Sequence, residues 1–310
     1  MPTGILGLAH HLPEVQRVGT LQRPIATEPG GPSDLAVPAG RQALTQAGLE
    51  PDGIEFLVFA TMTPDVTFPG AACYFQDKFG LGTIGALDVR GQCAGFLMGL
   101  MIADDFLRAG IYRRVLLAAG EVHSSALDYS ERGEPIARLY GDGAAAAVLG
   151  ERAGGGLESV VCHSDGRQYE RFWIEYPSSR QHPLRITVED VRAGKHFPRL
   201  DVEHVARFGS EQLPAVVREA LARAGTSADR IDCFIFSHVL PEVVARSAEV
   251  LAIPAGRLVD AGERHGHLTA AALPVALSEA RASGRIGAGA RVCLAACGAG
   301  YAWGAAVLTV

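Results

Sequence analysis

Cys93 stands in "RGQCAGFL" (residues 90–97), between a small-residue turn and a long apolar segment. A thiol titrates near pH 8.5, and the free N–H groups at a helix N-terminus favour its anion. On that ground Cys93 reads as a nucleophile; the competing reading is a buried structural thiol, the commonest state of a free cysteine. Two histidines bear on the choice. His238 closes the apolar run "IDCFIFSH" (231–238), and His267 opens the small-residue segment "HLTAAALPVALSEARASG" (267–284). A neutral imidazole can donate a hydrogen bond or act as a base. In open α/β sheets, reactive groups gather at the carboxyl ends of strands and at helix N-termini. Three reactive side chains from distant parts of the chain would converge there, which a structural thiol does not require.

The elements that position these groups are announced by an internal echo. Residues 36–60 ("AVPAGRQALTQAGLEPDGIEFLVFA") and 213–237 ("LPAVVREALARAGTSADRIDCFIFS") align at an offset of 177, which pairs Ala43, Leu44, Gly48, Ile54 and Phe59 with Ala220, Leu221, Gly225, Ile231 and Phe236. Each segment reads as an amphipathic helix stopped by a glycine C-cap, then a short linker and an apolar strand. A second echo pairs "CAGFLMGLMIADDFLRAG" (93–110) with residues 267–284 at an offset of 174, and each leads into an apolar strand, "RVLLAAG" or "RVCLAAC". This register sets Cys93 opposite His267. Strand–helix alternation predicts parallel βαβ units covered on both faces. The tandem repeat predicts two similar halves, 1–155 with the cysteine and 156–310 with the two histidines, divided at the Gly-rich "ERAGGGLES".

Bulk properties narrow the function. The 310 residues are 48% hydrophobic and 20% charged, a globular α/β profile rather than a disordered one. A net charge of −6 without a Lys/Arg block speaks against nucleic acid as a partner. The six cysteines contain no CxxC pair and no ligand spacing for zinc, so no metal is expected. Scattered thiols, no basic-then-apolar leader and no long apolar stretch predict a cytoplasmic protein without a membrane span.

Taken in order, "ATMTPDVTFPGAACYFQDKFGL" (60–81), "ALDVRGQCAGF" (86–96), "LYGDGAAAAVLG" (139–150), "FIFSH", "ERHGHLTAAALP" (263–274) and "GAGYAWGAAVL" (298–308) resemble the β-ketoacyl-acyl-carrier-protein synthase III branch of the thiolase-like condensing enzymes over nearly the whole chain. The resemblance implies a five-layered αβαβα thiolase-like fold, usually dimeric, here a homodimer. It implies an acyltransferase in which Cys93 takes an acyl group from acyl-CoA or an acyl carrier protein. Coenzyme A or a phosphopantetheine thioester is then the substrate carrier, and no cofactor is bound permanently. Cys93, His238 and His267 become the catalytic set, and the backbone N–H groups of Cys93 and Ala299 the oxyanion hole. Phe68 becomes a residue that reaches across the dimer to bound the acyl tunnel.

The chain also departs from that pattern. His267 replaces a usual Asn, Ala299 replaces the middle of a usual Gly-Gly-Gly, and residues 12–35, where the family usually carries a Trp and an Arg that clamp adenine, are short and contain no Trp. Val243 stands where a carrier-docking base is usual, with Arg246 nearby. The leading expectation is decarboxylative condensation with a malonyl-type carbanion, in polyketide- or fatty-acid-like specialised metabolism. The alternatives are acyl transfer to an alcohol or amine with His267 as base, and a non-catalytic subunit of a heterodimer. Arg90 reads either as a source of positive potential or as a structural salt bridge, His123 as a bystander or polar contact, and Asp142 as a loop-ordering residue.

Overall fold

The computed structural model describes residues 2–18 and 21–310. The first half contains β1 (Thr3–His11), a hairpin of β2 (Val15–Val18) and β3 (Leu21–Pro24), α1 (Pro32–Ala47), β4 (Phe56–Ala60), α2 (Ala71–Phe79), β5 (Gly85–Val89), α3 (Gly95–Arg108), β6 (Arg114–Glu121), α4 (Glu134–Ala137) and β7 (Gly143–Glu151). The second contains β8 (Gly156–Ser164), β9 (Phe172–Trp173), α5 (Val188–Arg192), β10 (Arg199–Leu200), α6 (Val202–Arg223), β11 (Cys233–Ser237), α7 (Pro241–Val250), β12 (Leu258–Asp260), α8 (Ala272–Ala282), β13 (Arg291–Gly298) and β14 (Ala302–Thr309). Among the described residues no helix is long and apolar enough to cross a membrane.

Two five-stranded sheets, ordered β1-β7-β6-β4-β5 and β12-β11-β13-β14-β8, are separated by a middle layer of α3 and α8. Helices α1 and α2 cover the outer face of the first sheet, and α6 and α7 that of the second. This is the five-layered thiolase-like arrangement. Burial on both faces explains why the central strands read as continuous apolar runs such as "FLVFA" and "CFIFS". Each buried Leu, Ile or Phe side chain there contributes about 1.5–3 kcal/mol.

Two sequence expectations change. The sheets are mixed: β4, β5 and β6 run parallel, as do β11, β12 and β13, but β1, β7, β8 and β14 pair antiparallel to their neighbours. Strand β7 is Ala- and Gly-rich and buried along all but its last residue, so it lacks the alternation that marks a one-faced strand. The register of the second echo also changes. Helices α3 and α8 begin at Gly95 and Ala272, 177 residues apart, as do β4 and β11 or β6 and β13. The apparent offset of 174 arises because α8 is three residues shorter, which draws its terminal Gly284 towards the position of Gly110. His267 therefore stands three residues ahead of the true counterpart of Cys93, which is Ala270.

Candidate active site

Cys93 of the first half meets His267 of the second, and His238 lies close enough to His267 to act on it electrostatically. The cysteine is the middle residue of a 3-10 turn, Gln92–Ala94, that runs straight into α3. The turn opens on Gln92 at φ 50, a left-handed conformation that costs a non-glycine residue about 1–2 kcal/mol and aims the next side chain sharply. His267 lies two residues ahead of a second 3-10 turn, Thr269–Ala271, with its N–H donating to the Leu139 carbonyl at 2.7 Å. Its Nε2 is 3.0 Å from Cys93 Sγ. His238 follows the last residue of β11, where the Leu240 N–H donates to its Nδ1 at 3.0 Å. The Leu240 carbonyl lies 3.3 Å from the same nitrogen, and the shorter contact, from an amide that only donates, favours Nδ1 as acceptor with the ring proton on Nε2. That Nε2 is buried, and among the described residues it has no hydrogen-bond partner.

The electrostatics overturn the expected thiolate. Burial pushes the Cys93 thiol up to about 12, and the nearby Glu121 carboxylate pushes in the same direction. The N–H groups of Ala299 and of Cys93 itself face the sulfur and draw its pKa partly back. With the residue 2% exposed, desolvation outweighs the field of the helix end. Burial also lowers His238 to about 4 and holds His267 well below the ordinary histidine range, with His123 and His238 adding to the latter. Near neutral pH the resting site is a thiol with two uncharged imidazoles. A neutral Nε2 at 3.0 Å can take the sulfur's proton as the sulfur attacks a carbonyl, so a standing thiolate is not needed.

Two glycines that the sequence did not single out make room for this set. A Cβ on Gly298 would overlap the Cys93 sulfur, so the end of β13 can approach Cys93 only without a side chain. A Cβ on Gly209, in the middle of α6, would lie 2.6 Å from His238 Nε2. Glycine inside a helix costs about 0.5–1 kcal/mol relative to alanine, and that penalty is the signal that could have flagged Gly209. Glu121 was also missed. It is fully buried and accepts bonds from the N–H groups of Met62, Thr63 and Ala270 and from the Thr63 hydroxyl, while burial raises its pKa to about 7.

The remaining sequence candidates fall elsewhere. Phe68 is 85% exposed and bounds nothing within its own chain. Arg90 donates to the Met62 carbonyl at 3.2 Å. Asp142 orders its loop by accepting from the N–H groups of Ala26 and Ser124. His123 is no bystander: it is buried, with Nε2 2.6 Å from Thr269 Oγ1. Val243 is buried, and Arg246 is paired with Glu249 at 3.0 Å. A 320 Å³ cleft beside α4 is lined by Leu127, Ile136, Phe197 and Leu200 with Arg132 and Arg199. Both guanidiniums are already paired, Arg132 with Asp128 and Arg199 with Glu175. Among the described residues no group of three His, Cys, Asp or Glu side chains could hold a metal ion.

The chain matches the family described as 3-oxoacyl-[acyl-carrier-protein (ACP)] synthase III over residues 87–166, and its C-terminal counterpart over residues 221–310. A β-ketoacyl-[acyl-carrier-protein] synthase III of Bradyrhizobium diazoefficiens is 35% identical over 302 residues, covering 95% of this chain and 88% of the relative. A crystal structure of a 3-oxoacyl-(acyl-carrier-protein) synthase III from Aquifex aeolicus superposes with a TM-score of 0.87 at 26% identity, covering 99% of this chain and 100% of that one. The priming β-ketosynthase of the R1128 polyketide pathway superposes with a TM-score of 0.88 at 25% identity, covering 100% of this chain and 96% of that one.

Proposed function

Because this chain belongs to the 3-oxoacyl-[acyl-carrier-protein] synthase III family, and is therefore a thiolase-fold condensing transferase, we propose that Cys93 carries the acyl group and passes it to a malonyl-type carbanion. An acyl-thioester on coenzyme A or on a carrier protein's phosphopantetheine presents its carbonyl to Sγ. The sulfur attacks the carbonyl carbon and its proton moves to His267 Nε2. The N–H groups of Cys93 and Ala299 hold the charge that develops on oxygen. Collapse expels the carrier thiolate, which takes the proton from His267 and leaves S-acyl Cys93. A malonyl thioester then loses carbon dioxide, and the electron pair left on its α-carbon spreads to the thioester oxygen, where the His238 Nε2–H donates. The carbanion attacks the acyl carbon, the bond to Cys93 sulfur breaks, and a proton from solvent restores the thiol beside a β-keto thioester product.

The observation that carries this reading is the 3.0 Å contact between a nucleophile from one half and an imidazole from the other. Condensation is favoured over transfer to an alcohol or amine by the free Nε2–H of His238, a donor suited to an enolate oxygen and not a base. Likeness to a priming ketosynthase of a polyketide pathway supports a specialised role. The test is to acylate the protein, add malonyl carrier labelled in the free carboxyl, and collect gas. Labelled carbon dioxide released only after acylation is expected; acyl transfer with no gas evolved would overturn condensation.

The reading extends to a second copy of the chain. Among the described residues strand β5 forms an unpaired edge of the first sheet, and Phe68 and Val66 protrude from the loop between β4 and α2, 85% and 40% exposed. An isologous dimer along this edge would cover them and lend each Phe68 to its partner. Light scattering should give twice the 32.6 kDa chain mass, and Phe68→Asp should shift the protein towards monomer with reduced turnover. An active wild-type monomer would count against the dimer.

A further inference from the structure

The turn that carries the nucleophile is built twice, and its second copy carries no nucleophile. The 3-10 turns Gln92–Ala94 and Thr269–Ala271 lie 177 residues apart, and each runs into a helix of the middle layer. Each opens on a non-glycine residue in the left-handed region, Gln92 at φ 50 and Thr269 at φ 47. Ala270 occupies the place of Cys93. By the same relation Gly298, which makes room for the Cys93 sulfur, corresponds to Glu121, whose carboxylate accepts the Ala270 N–H at 3.3 Å. The second turn is thus gripped from the first sheet at the point where the first turn is left open for chemistry.

A β-branched residue in the left-handed region is a genuine outlier, unfavourable by about 1–3 kcal/mol, and it persists only when its surroundings hold it. Glu121 supplies one hold. His123, two residues on, supplies the other through its 2.6 Å bond to Thr269 Oγ1, with both side chains buried. The His123 ring also packs on Tyr140 at 4.6 Å, and Tyr140 packs on His267 at 5.8 Å. His267 is two residues from Thr269, so the turn and the ring stack fix it from two directions. The proposed chemical steps use neither His123 nor Thr269.

We propose that His123 and Thr269 form a positioning pair, whose side-chain bond pins the strained turn of the second half and so holds His267 against Cys93. The proposal rests on the reading that His267 takes the Cys93 proton during acyl loading. Around His267 the titratable groups are Cys93, His238, His123, Tyr140 and Glu121. Burial lowers His123 to about 3, so its ring is uncharged and the bond to Thr269 is unaltered from pH 5 to 9.

The experiment follows single-turnover acylation of the full-length protein by an acyl-CoA, quenched and read by intact mass between pH 6.5 and 9. In wild type the rate should be nearly flat with pH, because a neutral imidazole receives the proton. Thr269→Val, which keeps the shape and removes the hydroxyl, should slow loading about 10–100-fold. Its rate should also climb with pH, as attack comes to depend on the scarce thiolate. His123→Phe, which keeps the ring against Tyr140, should behave alike, and Thr269→Ser should restore the wild-type rate and profile. A flat, wild-type-like profile in Thr269→Val, or a Thr269→Ser protein as slow as Thr269→Val, would overturn the pair. If wild type itself takes no acyl group on Cys93, the underlying reading fails instead, and the two failures are distinct.

Discussion

Replacing Cys93 with alanine should give a folded protein that gains no mass from any acyl-thioester and loses condensation by about four orders of magnitude or more. The size follows from chemistry. Among the described residues no other thiol is hydrogen-bonded to His267 Nε2, which lies 3.0 Å from Cys93 Sγ, so on the proposed reading nothing of comparable reactivity replaces it. Folding should survive because the change removes one buried atom from a middle layer otherwise packed by α3 and α8, a loss on the order of 1 kcal/mol. Intact-mass spectrometry after exposure to a panel of acyl-CoA donors reads loading, and thermal melting reads the fold. A Cys93→Ala protein that still acylates at full stoichiometry would remove the nucleophile from that position.

Replacing His238 with alanine should separate the two half-reactions. In the proposed reaction acyl loading uses Cys93, His267 and two backbone amides, so it should stay within a few-fold of wild type. Decarboxylation should fall by roughly 10²–10³, the usual loss when a single donor to a developing oxyanion is deleted. The argument rests on the tautomer: the Leu240 N–H occupies Nδ1, leaving the proton on an Nε2 that has no protein acceptor. Glutamine offers an N–H from a different position and should recover only part of the loss. Equal losses in loading and in carbon dioxide release would show that His238 serves the first step as well. Its pKa of about 4 also fixes a direction: the ring is uncharged above that value, and acidification towards pH 4 should add charge to a buried site and weaken condensation.

Much of this arrangement was legible in the sequence because it rests on local rules. Gly48 and Gly225 end their helices at φ 65 and φ 62, and the strands that follow are buried on both faces. The repeat brought Cys93 and His267 together although its register there was three residues off, because a shortened α8 shifts the terminal glycine and not the helix start. What the sequence hid depends on contacts made across the fold. His123 gains its meaning from Thr269, 146 residues away, and Gly209 from an imidazole on another element. The protonation of Cys93 was misread for the same reason. A helix N-terminus can be seen in a string of residues, whereas desolvation belongs to the packed molecule.

The depth at which that sulfur sits has a consequence for endurance. Oxidants and stray electrophiles attack thiolates that they can reach, and a protonated thiol that is 2% exposed offers them no charge and little surface. Damage should instead fall on Cys73, which is exposed and whose loss touches none of the chemistry. In the proposed reaction the sulfur stays dormant between visitors and wakes only for a guest whose carbonyl fits the two waiting amides.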